Sequence, residues 1–198
     1  MNGGYFGEAF IFLVRTIFDL CILAVALRFL LQLVRADFYN PISQFLVKIT
    51  NPLLRPLRRV IPGFGGVDWA SLVLMLVLKA GEISLITLIG SGRIPALTGL
   101  LIFSLAQLLN LFVYIFIVAI LVQVILSWVN PGGYSPSTVI LYRLTEPLLR
   151  PARQLLPPIG GLDLSPIIVL VVLQLTIILV INPIMHLGVS WAGTGISP

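Results

Sequence analysis

Four stretches of the chain are continuously apolar, and the connections between them contain proline, glycine and arginine. The apolar stretches cover about residues 8–34, 69–89, 97–129 and 164–187. A bilayer core about 30 Å thick is crossed by about 20 apolar residues in a helix. The pattern therefore predicts an all-α membrane protein with four transmembrane helices. The third is longer than needed, so it must tilt or extend past the membrane.

The second half of the chain repeats the first after a shift of 95 residues. Between 50–68 and 145–163, eleven of nineteen positions are identical without a gap. Each copy reads as a helix, a long loop and a second helix, so both copies cross the membrane from the same side. Such parallel repeats are related by an axis along the membrane normal. We predict two units, residues 1–95 and 96–198.

The long loop of each copy carries an amphipathic pattern. Asn40 or Ser135 can cap a helix that has proline at its first position. In the first copy, apolar residues at helical spacing then form one predicted face: Ile42, Phe45, Leu46, Ile49 and Leu53. We predict a helix that lies in the membrane interface. The prolines of the Pro-Leu-Leu-Arg-Pro motif that follows are expected to discourage its continuation.

The Pro-Leu-Leu-Arg-Pro motif places arginine side chains at the headgroups, where each attracts anionic lipid by about 1 kcal/mol. Guanidinium groups also bind carboxylates and phosphates bidentately. These properties predict a set of lipid- or partner-binding residues: Arg55, Arg58, Arg59, Arg150 and Arg153. The alternative interpretation is a rigid turn back into the membrane, with arginines that only reach toward the headgroups.

Each long loop ends in Gly-Gly-x-Asp, which fits a tight turn followed by a helix cap. We expect the two aspartates to accept amide hydrogen bonds at the starts of the second and fourth membrane helices. The predicted capping turns contain Gly65, Gly66, Asp68, Gly160, Gly161 and Asp163. These glycines match neither a dinucleotide fingerprint nor a phosphate-binding loop, so no nucleotide site is predicted.

Ionisable side chains inside the membrane are costly, so each is a candidate functional residue. Arg15 and Asp19 lie four residues apart and Lys79 and Glu82 three, which predicts two neutralising pairs. Charged positions of the first copy align with neutral polar positions of the second. We expect this whole set to face the bundle interior: Arg15, Asp19, Arg28, Lys79, Glu82, Asn110, Gln123 and Gln174. It fits interhelical hydrogen bonding, a polar ion or proton path, or a contact surface for another membrane protein.

Composition and charge agree with a membrane protein. The chain is 59% hydrophobic and 10% charged, whereas soluble domains contain roughly 25% charged residues. Eight of the twelve Lys and Arg residues lie in the two long loops. The positive-inside rule therefore puts these loops in the cytoplasm and both termini outside. Because topology accounts for the net charge of +5, we predict no nucleic-acid partner.

Few residues could support catalysis or hold a cofactor. The single cysteine, Cys21, cannot form an internal disulfide. The single histidine, His186, could ligate haem or a metal, although a polar anchor near a helix end is the favoured interpretation. No catalytic triad or carboxylate pair can be assembled from the sequence. We predict a protein that is not an enzyme and has no catalytic residues, metal or cofactor.

The repeated motif resembles that of the YggT family, also called YlmG-like proteins, of bacteria and plastids. The resemblance is carried by Thr-Glu-Pro-Leu-Leu-Arg-Pro-Ala-Arg at 145–153, Gly-Gly-Leu-Asp-Leu-Ser-Pro at 160–166 and Ser127-Trp128. Asp-Phe-Tyr-Asn-Pro at 37–41 is similar to the two-repeat proteobacterial form, and 68–71 departs from the motif by lacking Ser-Pro. The resemblance implies a multi-pass protein of the bacterial inner membrane without known catalytic residues.

Members of this family are linked to cell division and envelope organisation, to cytochrome assembly in plastids, and to osmotic tolerance and potassium uptake in enterobacteria. Together with the interfacial position of the motif, this predicts an adaptor or assembly factor. Its expected partners are anionic lipid headgroups and a membrane protein, with a homo-oligomer as an open alternative. The competing hypothesis is an ion-handling protein, either a channel or a modulator of potassium uptake, and it is motivated by Asp19, Lys79 and Glu82.

Overall fold

The computed structural model describes residues 4–36, 40–129, 135–155 and 163–193, and this part of the chain is almost entirely helical. Its helices are α1 (Tyr5–Leu33), α2 (Pro41–Val60), α3 (Trp69–Ser91), α4 (Leu97–Val129), α5 (Pro136–Leu155), α6 (Ser165–Thr176) and α7 (Asn182–Ala192). Within these residues, four helical rods are long and apolar enough to span a membrane: α1, α3, α4, and α6 with α7. The predicted all-α membrane fold is confirmed.

The fourth membrane helix contains an irregularity that the sequence pattern did not predict. A π-helical turn, Ile177–Ile181, joins α6 to α7. Pro183 follows in the first turn of α7 and has no amide hydrogen, so the carbonyl of Leu179 loses its usual helical donor. A wider turn just before a proline is a common way for a helix to accommodate this loss. The rod therefore continues to Ala192, five residues beyond the predicted end.

The membrane helices pack within and between the two repeats. α1 packs on α3 in the first repeat, α4 packs on α6 and α7 in the second, and α3 packs on α4. The main apolar core lies between α1, α3 and α4 and includes Val25, Ala26, Met75 and Ile115. The predicted division at residues 95 and 96 falls in the short connection between α3 and α4.

The backbones of α4 and α7 approach very closely at two glycines. A Cβ atom on Gly99 would lie 2.2 Å from the backbone nitrogen of Ala192, and one on Gly188 would lie 2.7 Å from that of Phe103. Small residues permit this kind of contact between membrane helices. The repeat equivalent of Gly99 is Gly4, which has nothing within 4 Å of its Cβ position. The first repeat is therefore open at the end where the second is closed.

The interfacial helices continue through both prolines of their motif, so the expectation that these prolines discourage helix is wrong. α2 contains Pro52 and Pro56, and α5 contains Pro147 and Pro151. All four prolines lie on exposed faces. The carbonyl four residues before each proline loses its helical donor. Because it lies on the same exposed face, water or lipid headgroups can replace that hydrogen bond.

The predicted apolar face of α2 is divided between protein and surroundings. Only Leu46 packs into the bundle, and the other members are 41–61% exposed: Ile42, Phe45, Ile49 and Leu53. The face toward the bundle is formed instead by Ser43, Leu46, Thr50 and Leu54. α2 therefore has one face on the membrane helices, an apolar face available to hydrocarbon and a basic face. This three-sided arrangement suits a helix held at a membrane interface.

The starts of the interfacial helices are capped by side chains. The Asn40 side chain accepts a hydrogen bond from the amide of Ile42 at 2.9 Å, and Ser135 Oγ accepts one from the amide of Thr138 at 3.2 Å. The two helices pack at the same end of the bundle, where Leu46 of α2 and Ile140 of α5 belong to one buried cluster with Leu31 of α1. α2 and α5 therefore lie on the same side of the membrane helices.

Candidate functional site

Six of the seven basic side chains of α2 and α5 fall into an exposed group and a paired group, and the seventh, Arg143, donates to the backbone carbonyl of Arg35. The exposed group forms what we call the basic face: Lys48, Arg55 and Arg59 on α2 and Arg150 on α5. The three α2 residues are spaced seven and four apart, which puts them in one row along the helix. Within the described parts of the chain, none of the four forms an ion pair.

Arg58 and Arg153 are held in ion pairs inside the protein. Arg58 donates to the carboxylate of Asp68 and more weakly, at 3.4 Å, to Gln32 Oε1. At the equivalent position of the second repeat, Arg153 Nε donates to Asp163 Oδ2 at 2.9 Å, and Arg153 Nη1 donates to Glu146 at 2.9 Å. We call Arg58–Asp68 and Arg153–Asp163 the clamp pairs. They tie each interfacial helix to the start of the next membrane helix.

The predicted capping aspartates differ in what they bind. Asp163 Oδ1 accepts a hydrogen bond from the amide of Ser165 at 2.9 Å. The carboxylate of Asp68 accepts hydrogen bonds from the side chains of Arg58 and Ser71 instead. In the turn before it, Gly65 and Gly66 have φ angles of 66° and 80°, a conformation that favours glycine. Gly160, Gly161 and residues 37–39 lie outside the described residues.

The clamp pairs hold their carboxylates in the ionised form. Burial alone would raise the pKa of Asp68, but hydrogen bonds from Arg58 and Ser71 outweigh burial and hold that pKa below its ordinary value. Burial also opposes ionisation of Asp163, and hydrogen bonds from Ser165 and Arg153 lower its pKa. For Arg153, burial would lower the pKa, but the two carboxylates beside it produce a net increase.

A second pair of contacts anchors the same helices deeper in the bundle. Arg28 is buried on α1, and its Nη1 donates to Thr50 Oγ1 at 2.7 Å and to Asn51 Oδ1 at 3.0 Å. In the second repeat, the hydroxyl of Thr145 donates to Gln123 Oε1. Arg28 and Gln123 are repeat equivalents, as are Thr50 and Thr145, so the two anchors occupy matching positions.

A charged network lies between α1 and α3 in the membrane-spanning part of the bundle. Lys79 Nζ lies 2.9 Å from Asp19 Oδ1 and 2.8 Å from Glu82 Oε2. The predicted pair of Lys79 with Glu82 therefore forms. The predicted pair of Arg15 with Asp19 is wrong: among the described residues Arg15 forms no ion pair, because Asp19 reaches across to the neighbouring helix.

This network lines a cavity of about 820 Å³ between α1, α3 and α4. Further polar residues in its wall are Arg15, Gln107, Asn110 and Tyr114. The three other predicted positions lie elsewhere: Arg28 is in its contact with α2, described above, and Gln123 and Gln174 are on the second repeat. Gln123 is buried in its contact with α5, whereas Gln174 is exposed on α6, so the expectation that it faces the interior is wrong. His186 is exposed on α7.

Sequence reasoning missed several residues of these contacts, among them Thr50, Ser71 and Thr145. Thr50 and Thr145 are identical in the two repeats and lie on the buried faces of their helices. Their identity was therefore a usable signal. Ser71 carried no such signal, because its repeat equivalent is Pro166.

Four membrane-spanning rods in two repeats, with amphipathic helices on one side, define a small polytopic α-helical membrane protein. The sequence model of the CCB3/YggT family matches residues 7–89 and 102–184, which covers most of both repeats. The chain belongs to the CCB3/YggT family.

The chain is similar to several proteins that are described as uncharacterized. An uncharacterized protein of Pseudomonas aeruginosa is 51% identical over 175 residues, covering 88% of this chain and 89% of that protein. The uncharacterized protein YggT of Escherichia coli strain K12 is 42% identical over 163 residues, or 82% and 84% of the two chains. The uncharacterized protein ycf19 of Guillardia theta is 35% identical over 72 residues, 36% of this chain and 79% of that protein. No solved structure gives a significant match.

Proposed function

We propose that this protein is a non-enzymatic membrane adaptor or assembly factor that uses the basic face of α2 and α5 to bind anionic groups. The observation that carries this proposal is that some basic side chains of α2 and α5 are paired within the protein and others are not. Arg58 and Arg153 are paired within the protein, whereas Lys48, Arg55, Arg59 and Arg150 point outward. Exposed cations that the fold does not use are available for a ligand outside it.

The energetics support binding at an anionic membrane surface. Each basic residue near such a surface contributes about 1 kcal/mol of attraction, so the four residues together contribute about 4 kcal/mol. The exposed apolar row of α2 seats that helix against hydrocarbon. Arginine adds a geometric preference, since its guanidinium binds a carboxylate or phosphate bidentately and lysine does not. We therefore propose headgroups and an acidic segment of a membrane protein as the two ligands.

The buried cluster that α2 and α5 share favours one combined surface over two separate ones. Leu46 and Ile140 share a buried cluster, and Arg143 Nη1 donates to the backbone carbonyl of Arg35 at 2.8 Å. Both helices lie on one side of the bundle, which the distribution of positive charge suggests is the cytoplasmic side. A partner that contacts both helices at once gains from their fixed spacing.

Pull-down from native membranes after chemical cross-linking tests the proposal. The wild type is compared with a variant in which Lys48, Arg55, Arg59 and Arg150 are all changed to Gln. A second variant replaces the three arginines by Lys and so keeps the charge. We expect a stoichiometric membrane-protein partner with the wild type and its loss with the Gln variant. Recovery of the same proteins with all three chains overturns the proposal.

The Lys variant separates recognition of the partner by charge from recognition by bidentate hydrogen bonds. If the partner is recognised by charge alone, the Lys variant retains it. If arginine binds a carboxylate or phosphate bidentately, the Lys variant loses the partner while keeping bulk attraction to anionic lipid.

The ion-handling hypothesis is favoured by one observation, the charged network in the polar cavity. Asp19, Lys79 and Glu82 lie at membrane depth, where ionisable groups often serve transport. However, the wall of the cavity also includes Ile22 and Leu108, which belong to the apolar core between α1, α3 and α4, so a continuous polar path across the bundle is not seen among the lining residues. We therefore favour the adaptor. Potassium or proton flux through proteoliposomes above that of empty vesicles would reverse this preference, provided that Lys79→Met abolishes the flux.

A further inference from the structure

We propose that the cavity between α1, α3 and α4 is a binding site for a small zwitterionic ligand, one that carries an ammonium group and a carboxylate or phosphate. Asp19 and Asn110 would bind the ammonium group, and Arg15 would bind the oxyanion. This site is separate from the basic face and does not depend on the adaptor function.

The cavity extends lengthwise along α3. Its wall follows α3 from Ser91, the last residue of the helix, to Lys79 near the middle. Twelve helical steps correspond to about 18 Å. Ile22 and Leu108, which belong to the apolar core between α1, α3 and α4, contribute apolar side chains to the same wall. A polar ligand can therefore enter from the membrane surface at the end of α3 and reach the middle of that helix.

The polar groups of the wall are not all satisfied within the protein. Lys79 and Glu82 neutralise each other, and their side chains are 10% and 4% exposed. Asp19 is 51% exposed, and only one of its oxygens binds Lys79. Oδ1 of Asn110 is buried and has no hydrogen-bond partner. Buried acceptors without donors are unfavourable, so Asp19 and Asn110 together suit a ligand with several N–H donors.

Arg15 supplies the positive charge that the oxyanion of the ligand requires. It lines the cavity, is exposed to it and, within the described residues, takes part in no ion pair. Arg15 and Asp19 are four residues apart on α1, so their Cβ atoms are neighbours at roughly 5–6 Å. The charged residues of the wall are two cations and two carboxylates. An ion of one sign gains little from a wall with no net charge, whereas a ligand with both charges can match it.

The cavity lies at the interface between the two repeats. Arg15 and Asp19 on α1 are the repeat equivalents of Asn110 and Tyr114 on α4, and all four line the same cavity. Equivalent positions of the two repeats therefore form opposite walls. In membrane proteins built from repeats, solute sites commonly lie at the interface between the repeats and near the middle of the bilayer.

Two sources could supply the ligand, and one experiment distinguishes them. A free amino acid offers an ammonium and a carboxylate, and phosphatidylethanolamine offers an ammonium and a phosphate. Binding of radiolabelled glycine, leucine and phenylalanine is measured on the full chain in nanodiscs of phosphatidylglycerol alone. Retention of phosphatidylethanolamine is measured by native mass spectrometry on nanodiscs that contain it. Both readouts use the wild type, Arg15→Gln, Asn110→Leu and Arg93→Gln.

Arg93→Gln is the matched control. Arg93 is exposed on the loop after α3, so this substitution removes the same charge as Arg15→Gln but outside the cavity. Asn110→Leu is apolar and suits a membrane helix, so it tests the site without adding a charge. We expect one of the two ligands to bind about tenfold more weakly to Arg15→Gln and Asn110→Leu and normally to Arg93→Gln. Acetate and methylammonium, which carry one charge each, should compete poorly.

Saturable amino-acid binding identifies a free solute, and selective lipid retention identifies the headgroup. Absence of both, or equal binding by all four chains, overturns the proposal.

Discussion

Arg58 in α2 donates a hydrogen bond to the carboxylate of Asp68, ten residues later at the start of α3. Arg153 and Asp163 repeat the contact at 2.9 Å in the second half of the chain. The conserved spacing within the internal repeat thus corresponds to a clamp between an interfacial helix and the next membrane helix. The arginines three residues earlier, Arg55 and Arg150, face outward and remain available for ligands.

Loss of a clamp arginine should destabilise the fold more than loss of an arginine of the basic face. Arg58→Ala leaves Asp68, which is 4% exposed, without its charged partner, so we expect the free energy of unfolding to fall by about 1–3 kcal/mol. Arg55→Ala should change it by less than about 0.5 kcal/mol. Denaturant unfolding in detergent micelles measures both. Equal losses would mean that Arg58 does not hold the helix.

The clamp also predicts acid sensitivity. Because the folded pKa of Asp68 is lowered, its contribution to stability is present above its unfolded pKa of about 4 and is lost as pH falls through the folded value. Asp68→Asn removes this titration. The difference in free energy of unfolding between wild type and Asp68→Asn should therefore shrink below about pH 4. A difference that is constant from pH 7 to pH 3 would contradict this assignment.

The two buried threonines offer a comparison in which each repeat controls for the other. Thr50 accepts a hydrogen bond from the charged Arg28, whereas Thr145 donates to the neutral Gln123. Hydrogen bonds to charged groups contribute about 1.5–3 kcal/mol and neutral ones about 0.5–1.5 kcal/mol. Thr50→Val should thus lower the free energy of unfolding more than Thr145→Val. The reverse order would argue against Arg28 as the anchor.

Close packing of α4 on α7 predicts that single methyl groups are harmful there. Gly99→Ala and Gly188→Ala each insert a Cβ within 2.8 Å of backbone atoms on the other helix, which should cost about 1–3 kcal/mol of stability. Gly90→Ala serves as the control, since nothing lies within 4 Å of its Cβ position. Alanine is about 1 kcal/mol better than glycine in a helix, so this variant should be at least as thermostable as wild type.

Membrane helices and repeats were predictable because hydrophobicity and sequence identity are local signals. The third predicted segment, 97–129, coincides with α4 (Leu97–Val129), whose apolar run is bounded by a proline on one side and by Asn-Pro on the other. The amphipathic helices were predictable in position but not in length. Their prolines fall on the exposed face, and only the packing of the other face could reveal that the helix continues.

The polar contacts were harder to predict because they join distant residues. Spacing along α1 favoured Arg15 as the partner of Asp19, yet Asp19 pairs with Lys79, which is 60 residues away in sequence. Repeat alignment correctly matched Arg28 with Gln123, but it also implied that Gln174 faces inward like Lys79. Gln174 is exposed, whereas Lys79 is buried and paired with Asp19 of α1 and with Glu82.

Photo-cross-linking from the basic face tests the adaptor function most directly. A photoreactive amino acid at Gln154, which is exposed one turn after Arg150, keeps every charge of that face. The control position is Val118, which is 55% exposed on α4 within the membrane-spanning part. After irradiation of native membranes, we expect a discrete protein adduct from position 154 and only lipid adducts from position 118. The same adducts from both positions, or lipid alone from both, would contradict the account.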